Sequence, residues 1–245
     1  MRSSDLVVRL IEGIKWLSFP PLEAYPFILH GFIIKNQIFP PDVKTKEAEK
    51  LLQKAFSQKR RLVSLSQIHQ DGCVIITSKD KLKRRYKGDA LLTDRDDIFI
   101  SVWVADCLSI FLVEERRRVV GLVHAGWRGT LLGILRRTIE AAKGQFGCEG
   151  GDFTVLFGPC IGSCCYQISD DVAILFDEEC MNRAQNGKPG LDLICANLKQ
   201  LMSCGVKRDR IFVTGKCTFC DEKLFHSYRR EKENAGRMIG FMGLR

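Results

Sequence analysis

Two histidines and one cysteine each close an apolar run: His69 after SLSQI, Cys107 after SVWVAD and His124 after VVGLV. If these runs are neighbouring strands, the three side chains meet at one edge of a sheet. Two imidazoles and a thiolate suit zinc in a tetrahedron, and three protein ligands leave the fourth position for water or substrate, as in catalytic zinc. The spacing alone is loose, 38 and 17 residues. Taken singly, each histidine also reads as a satisfied polar group at a strand end.

The stretch GLVHAGWRGT, Gly121 to Thr130, adds to this pattern. Gly126 and Gly129 flank Trp127 and Arg128 ahead of a helix expected over residues 130–143 with Thr130 as its cap. Such a strand-to-helix turn can present a helix N-terminus to an anion, with Arg128 forking onto phosphate or carboxylate and Trp127 anchoring the turn. The plainer reading is a structural turn with a surface arginine. A competing metal set uses cysteines only: Cys160, Cys164 or Cys165 with Cys217-x-x-Cys220. Only one C-x-x-C is present and CIGSCC lies in a Gly-Pro turn without knuckle spacing, so these are expected to be thiols without a metal.

Several elements must position these residues. KTKEAEKLLQKAFSQKR (44–60) puts Leu51, Leu52, Ala55 and Phe56 on one helical face. RLVSLSQIH, CVIIT, IFISVWVADC, LSIFLV, RVVGLVHA, DFTVLFG, RIFVTG and RMIGFMG read as strands, and IFISVWVA is apolar on both faces, as in a strand buried on both sides. SDDVAILFDEEC and DLICANLKQLMSCG read as helices, the latter ended by Gly205. Strands and helices mix without strict alternation, which gives α+β or mixed α/β in one domain spanning 1–245.

Composition bounds the rest. The 245 residues are 45% hydrophobic and 27% charged, enough for a sizeable core. No apolar run approaches the roughly 20 residues of a membrane helix, and the N-terminal stretch lacks a cleavage site for secretion. Eleven dispersed cysteines without an export signal point to thiols in a reducing cytoplasm rather than a disulfide scaffold. The net charge of +9 sits in short clusters such as KDKLKRRYKG. These lack the interleaved aromatics of a stacking platform, so they read as solvated loops and not as a nucleic-acid surface.

QIH, GDALLT, ADCL, HAGWRGT, GPCIG and SYRR to GR follow one another in order. In this the chain resembles the YfiH/YlmD-like family, labelled multicopper polyphenol oxidoreductases or laccases, over roughly residues 62–244. The resemblance implies an α/β fold of mixed sheets sandwiched between helices, related to the catalytic domain of a deamidating bacterial toxin. It also implies one zinc per chain on His69, Cys107 and His124, which would be catalytic, and substrate contacts from Arg128, Arg229, Lys35 and Gln67. The implied substrates are purine nucleosides and phosphate: phosphorolysis of adenosine, inosine, guanosine and methylthioadenosine, and deamination of adenosine. Two alternatives remain: a thiol hydrolase or amidase with Cys107 as nucleophile and His124 or His69 as base, and the copper-dependent oxidase of the older label. Four histidines in all, His30, His69, His124 and His226, are too few for a multicopper centre, though one copper is an alternative occupant of the zinc site. The family's N-terminal loop is altered here over 33–45. HGFIIKNQIFPPDV keeps His30, Gly31 and Phe32 but places Lys35 where the family has arginine, a point charge without the fork.

Overall fold

The apolar alternation of IFISVWV is filled on both sides. In the computed structural model, which describes residues 1–11, 13–35, 45–183 and 188–245, strand Ile98–Val104 sends Ile98, Ile100, Val102 and Val104 into one core cluster and Phe99 into another. Strand Leu108–Glu114 does the same, with Phe111 and Val113 on one side and Leu108, Ile110 and Leu112 on the other. This is the period-two division expected of strands with no solvent face.

Among the described residues the strands form two seven-stranded sheets and a two-stranded antiparallel ribbon, Met181–Arg183 with Pro189–Leu191. The first runs Arg2–Ser3, Ile211–Val213, Phe153–Phe157, Leu108–Glu114, Val119–Ala125, Ala90–Thr93, Cys73–Ile76. The second runs Val7–Ile11, Ile14–Ser18, Ile28–Ile33, Met238–Leu244, Ile98–Val104, Arg61–Ser66, Arg85–Lys87. Both mix parallel and antiparallel pairs. They share a core that includes Phe32, Val102 and Met242 from the second sheet and Phe111, Leu122 and Leu156 from the first. Helix Thr45–Phe56 lays Ala48 and Leu52 against Leu62, Phe99 and Phe241 on the outside of the second sheet. Helices Ile134–Phe146 and Leu193–Ser203 cover the first with Ile134, Leu135, Ile139, Leu193 and Leu201. The architecture is mixed α/β, two sheets between helical layers. No helix of the described residues is long and apolar enough to cross a membrane.

Three expectations need correction, and one part of the fold was not anticipated. The helix expected from Thr130 is two helices, Trp127–Leu131 and Ile134–Phe146, separated by Gly133 at φ 79°. Thr130 lies inside the first and caps nothing; its hydroxyl accepts a hydrogen bond from Asn197 Nδ2 at 2.9 Å. SDDVAILFDEEC yields only Asp170–Ala173 as α-helix, with a single 3-10 turn at Glu178–Cys180, because Ile174 and Leu175 stay 81% and 49% exposed and short helices need a packed face. Cys180 and Cys195 are joined by a disulfide, their Cα atoms 5.3 Å apart, while the other nine cysteines are free. The N-terminal strands Val7–Ile11, Ile14–Ser18 and Ile28–Ile33, unread in the sequence, build one side of the second sheet. Of the altered loop, residues 36–44 lie outside the described residues.

His30 shows how completely this sheet is dried. It is 7% exposed, its Nε2 accepts from Phe19 N at 3.1 Å, and burial, outweighing the attraction of Glu23, holds its pKa down at about 4. The unfolded chain therefore binds a proton between pH 6.5 and 4 that the native state refuses, so stability falls as pH drops through that window. The loss attributable to this residue should reach roughly 3 kcal/mol. Denaturant melts at pH 7 and pH 4.5 of the native chain and of His30→Gln should show a shallower acid loss in the variant.

Candidate active site

The chain passes from the second sheet to the first between strands Ile98–Val104 and Leu108–Glu114, through Ala105, Asp106 and Cys107. Asp106 takes φ 87° there, a left-handed conformation that costs a non-glycine residue about 1–2 kcal/mol. Its buried carboxylate is held from three directions. Thr218 Oγ1 donates at 2.7 Å, Ser227 Oγ at 3.0 Å and the Arg229 backbone N–H at 2.7 Å. The crossing is thereby fixed, and Cys107 stands at its end.

His124 comes from the last turn-ward residues of Val119–Ala125, all of them buried. His69 follows Arg61–Ser66 in a loop, again left-handed at φ 57°. One fully buried carboxylate, Asp89, positions both. Its Oδ1 lies 2.9 Å from His124 Nδ1 and accepts the His69 N–H at 2.9 Å. Its Oδ2 accepts from Ile68 N at 3.2 Å and Gln70 N at 2.9 Å. Burial pushes the Asp89 carboxyl up, but these donors, with His124 foremost, hold it below its ordinary value.

The ligand atoms of His69, Cys107 and His124 lie within 4.8 Å of one another. The imidazole rings stand nearly perpendicular, 82° apart, with centroids 4.9 Å apart. With Nδ1 committed to Asp89, His124 turns Nε2 towards the group, the carboxylate–histidine arrangement that orients metal ligands. Gly126 makes room: a Cβ there would stand 3.0 Å from Cys107 Sγ. The donor set of two nitrogens and one sulfur, open on the side of the exposed His69, fits zinc with one free position. By themselves the side chains also polarise one another. Burial raises the Cys107 thiol, yet His124 and His69 bring it down to about 6. Burial lowers His124, yet Cys107 and Asp89 lift it to about 9.

The three residues floor a cleft of about 730 Å³. Trp103, Trp127, Tyr166 and Tyr228 give it aromatic walls, and Arg128, Arg229, Lys232 and Arg237 give it four cations. The Arg128 guanidinium lies 4.4 Å over the Trp127 ring and forms no ion pair among the described residues. Arg229 donates to Gln167 O at 2.8 Å and lies over Tyr166. Two expected substrate residues are otherwise engaged. Gln67 lines the cleft, but its amide makes both hydrogen bonds, at 2.8 Å, to the backbone of Trp103. Lys35 is outside the lining and pairs with Glu231 at 3.4 Å. The helix after Gly126 has only five residues, so no extended helix N-terminus faces the cleft.

Sequence reasoning passed over Asp89, Asp106, Lys232 and Arg237. The two acids sit inside the quoted GDALLT and ADCL, where an acid between apolar residues was the available signal. Of the cysteines weighed as a competing metal set, Cys164, Cys165, Cys217 and Cys220 bring their sulfurs within 4.8 Å of one another, while Cys160 lies buried outside that group.

Residues 41–245 match a family described as multi-copper polyphenol oxidoreductase laccase, and the chain belongs to that family. It is 37% identical over 164 residues to YlmD of Geobacillus stearothermophilus, named a purine nucleoside phosphorylase. That match covers 64% of this chain and 60% of the relative's length. A purine nucleoside phosphorylase of Clostridium acetobutylicum is 35% identical, with 73% of this chain and 75% of the relative covered. The solved structure of the Geobacillus YlmD superposes with a TM-score of 0.85 at 27% identity, covering 98% of this chain and 100% of that one. Bacillus licheniformis YfiH, titled a hypothetical protein, gives 0.84 at 26%, covering 97% and 99%.

Asp89→Asn keeps the shape but weakens the hold on His124 Nδ1 and on the 68–70 loop. Zinc affinity, measured by competition with a chelator, should fall about 10- to 100-fold. An unchanged affinity would remove Asp89 from the support of the site.

Proposed function

We propose that this chain is a zinc-dependent purine nucleoside enzyme. It cleaves adenosine, inosine, guanosine and methylthioadenosine by phosphorolysis and deaminates adenosine hydrolytically. One observation carries the reading: a three-donor nitrogen–sulfur set with an open position floors a cleft that is both cationic and aromatic. The names of the bacterial relatives support the nucleoside and phosphate as substrates.

His69, Cys107 and His124 would hold the zinc, which would supply Lewis acidity for activating water near neutral pH. Asp89 keeps His124 in the tautomer that frees Nε2 for the ion. Phosphorolysis forms a bond from a phosphate oxygen to the ribose carbon that carries the base, and the base leaves with the bonding pair and takes up a proton. Arg128 and Arg229 hold the phosphate and neutralise its charge as this occurs. Trp103 and Tyr228, which among the described residues carry no guanidinium over their rings, offer aromatic surface to a purine, and the cleft is within the size range of small-molecule sites.

A second reading has its own observation. Asp89, His124 and Cys107 are ordered as acid, imidazole and thiol, the arrangement of a thiol hydrolase or amidase. Copper oxidase chemistry on a multicopper cluster is supported less well, since His30 and His226 bond to Phe19 and Glu231 away from the site and only two imidazoles remain in it.

Removing zinc with a chelator should abolish phosphorolysis and deamination, and adding zinc back should restore both. Full phosphorolysis in zinc-free protein would overturn the zinc requirement, and amide hydrolysis there that is lost in Cys107→Ala would favour the thiol reading. Arg128→Ala should lower the phosphorolytic rate roughly 30- to 150-fold, the loss of a charge-assisted contact worth about 2–3 kcal/mol. Ammonia release from adenosine should change little, and so should the melting temperature. Equal losses in both activities with a lower melting temperature would make Arg128 a brace of the turn.

A further inference from the structure

We propose that Cys164, Cys165, Cys217 and Cys220 form a second metal centre, a closed four-thiolate zinc site that ties two loops together beside the cleft. Strands Phe153–Phe157 and Ile211–Val213 are parallel neighbours, with Val155 opposite Ile211 and Phe157 opposite Val213. The loops that leave them depart from the same edge of the sheet, and the parallel pairing continues as an isolated bridge between Cys160 and Cys217. The turn Gly162–Cys165 and the turn Cys217–Cys220 are thereby laid side by side.

The sulfur geometry is that of a cation's coordination shell. Cys165 and Cys220 are 3.4 Å apart, Cys164 and Cys220 3.8 Å, and all four sulfurs lie within 4.8 Å of one another. Zinc–sulfur bonds of about 2.3 Å in a tetrahedron place sulfurs about 3.8 Å apart, so small side-chain rotations close the site. The Gly162 N–H donates to Cys217 Sγ at 3.2 Å, an interaction that favours a thiolate. Four soft sulfur donors in a tetrahedron select zinc or iron over magnesium and calcium. With four protein ligands no position is left for substrate, so this centre holds structure. Binding is not redox: each protonated thiol releases its proton to solvent and no electron moves.

Its place gives it work to do. Tyr166, next to Cys165, walls the cleft under Arg229. Thr218, next to Cys217, donates to the Asp106 carboxylate that fixes the sheet crossing before Cys107. The four-sulfur centre thus holds two residues that shape the first site, without touching substrate.

The test begins by removing the first site. Protein carrying His69→Ala, Cys107→Ala and His124→Ala, purified under reductant and gel-filtered, should contain one zinc per chain by elemental analysis. Adding Cys217→Ser and Cys220→Ser should take it to none. A measurement on the unmutated chain guards against misfolded variants. Thiols reactive to a colorimetric reagent in zinc-loaded native protein should rise by five when a chelator strips both sites, four of them from this centre. A rise of one, or no zinc in the folded triple variant, would overturn the proposal. A disulfide among these four cysteines in freshly reduced protein, found by mass spectrometry, would overturn it as well.

Discussion

A single carboxylate deep in the protein carries much of the burden. Asp89 accepts three backbone N–H groups from residues 68–70 and one imidazole N–H. A buried carboxylate without partners would be several kcal/mol out of place, so these contacts are obligatory for it. In meeting them it fixes the path of the loop bearing His69, the tautomer of His124 and the distance between the two. The left-handed backbone of His69 persists because this carboxylate over-determines it.

The same logic recurs at the seam between the sheets. Asp106 is bonded from the loop holding Thr218 and the segment holding Ser227 and Arg229, so the crossing and a stretch far from it in sequence agree on one position. Cys107 inherits that rigidity. The cleft opens where strands of both sheets end together, so Cys107 and His124 of its floor stand at strand ends, while its cationic side chains come from the short helices Trp127–Leu131 and Tyr228–Glu231 and the segment after the second. This suits a site whose ligands need fixed geometry and whose substrate contacts need reach.

What could be read from the sequence follows from how each feature is made. The strand-terminal His69, Cys107 and His124 were visible because apolar runs mark strands and a polar residue closing such a run stands out. The doubly buried strand Ile98–Val104 was visible for the same reason. Asp89 was not singled out, because its role depends on a loop 20 residues earlier folding over it. The meeting of the two cysteine turns depends on strands 153–157 and 211–213 being neighbours, which local periodicity does not encode. The break at Gly133 was missed because LLGILRR keeps its helical pattern across it. Lys35 took its expected role from alignment of a motif, whereas Glu231 offered it a nearer charge.

The position of strand Met238–Leu244 has a further consequence. It lies in the middle of its sheet, hydrogen-bonded along its length to Ile28–Ile33 on one side and Ile98–Val104 on the other. Those two partners are synthesised well over 100 residues earlier. During translation they have no shared neighbour until Met238–Leu244 leaves the ribosome, and their edges stay unpaired for that time. The contacts that complete this sheet are among the longest in the chain, which makes for slow closure. Until then both edges are open to pairing with other nascent chains. Closing this sheet is therefore a single event: without Met238–Leu244, the strands Val7–Ile11, Ile14–Ser18 and Ile28–Ile33 on one side and Ile98–Val104, Arg61–Ser66 and Arg85–Lys87 on the other are two half-sheets with nothing between them.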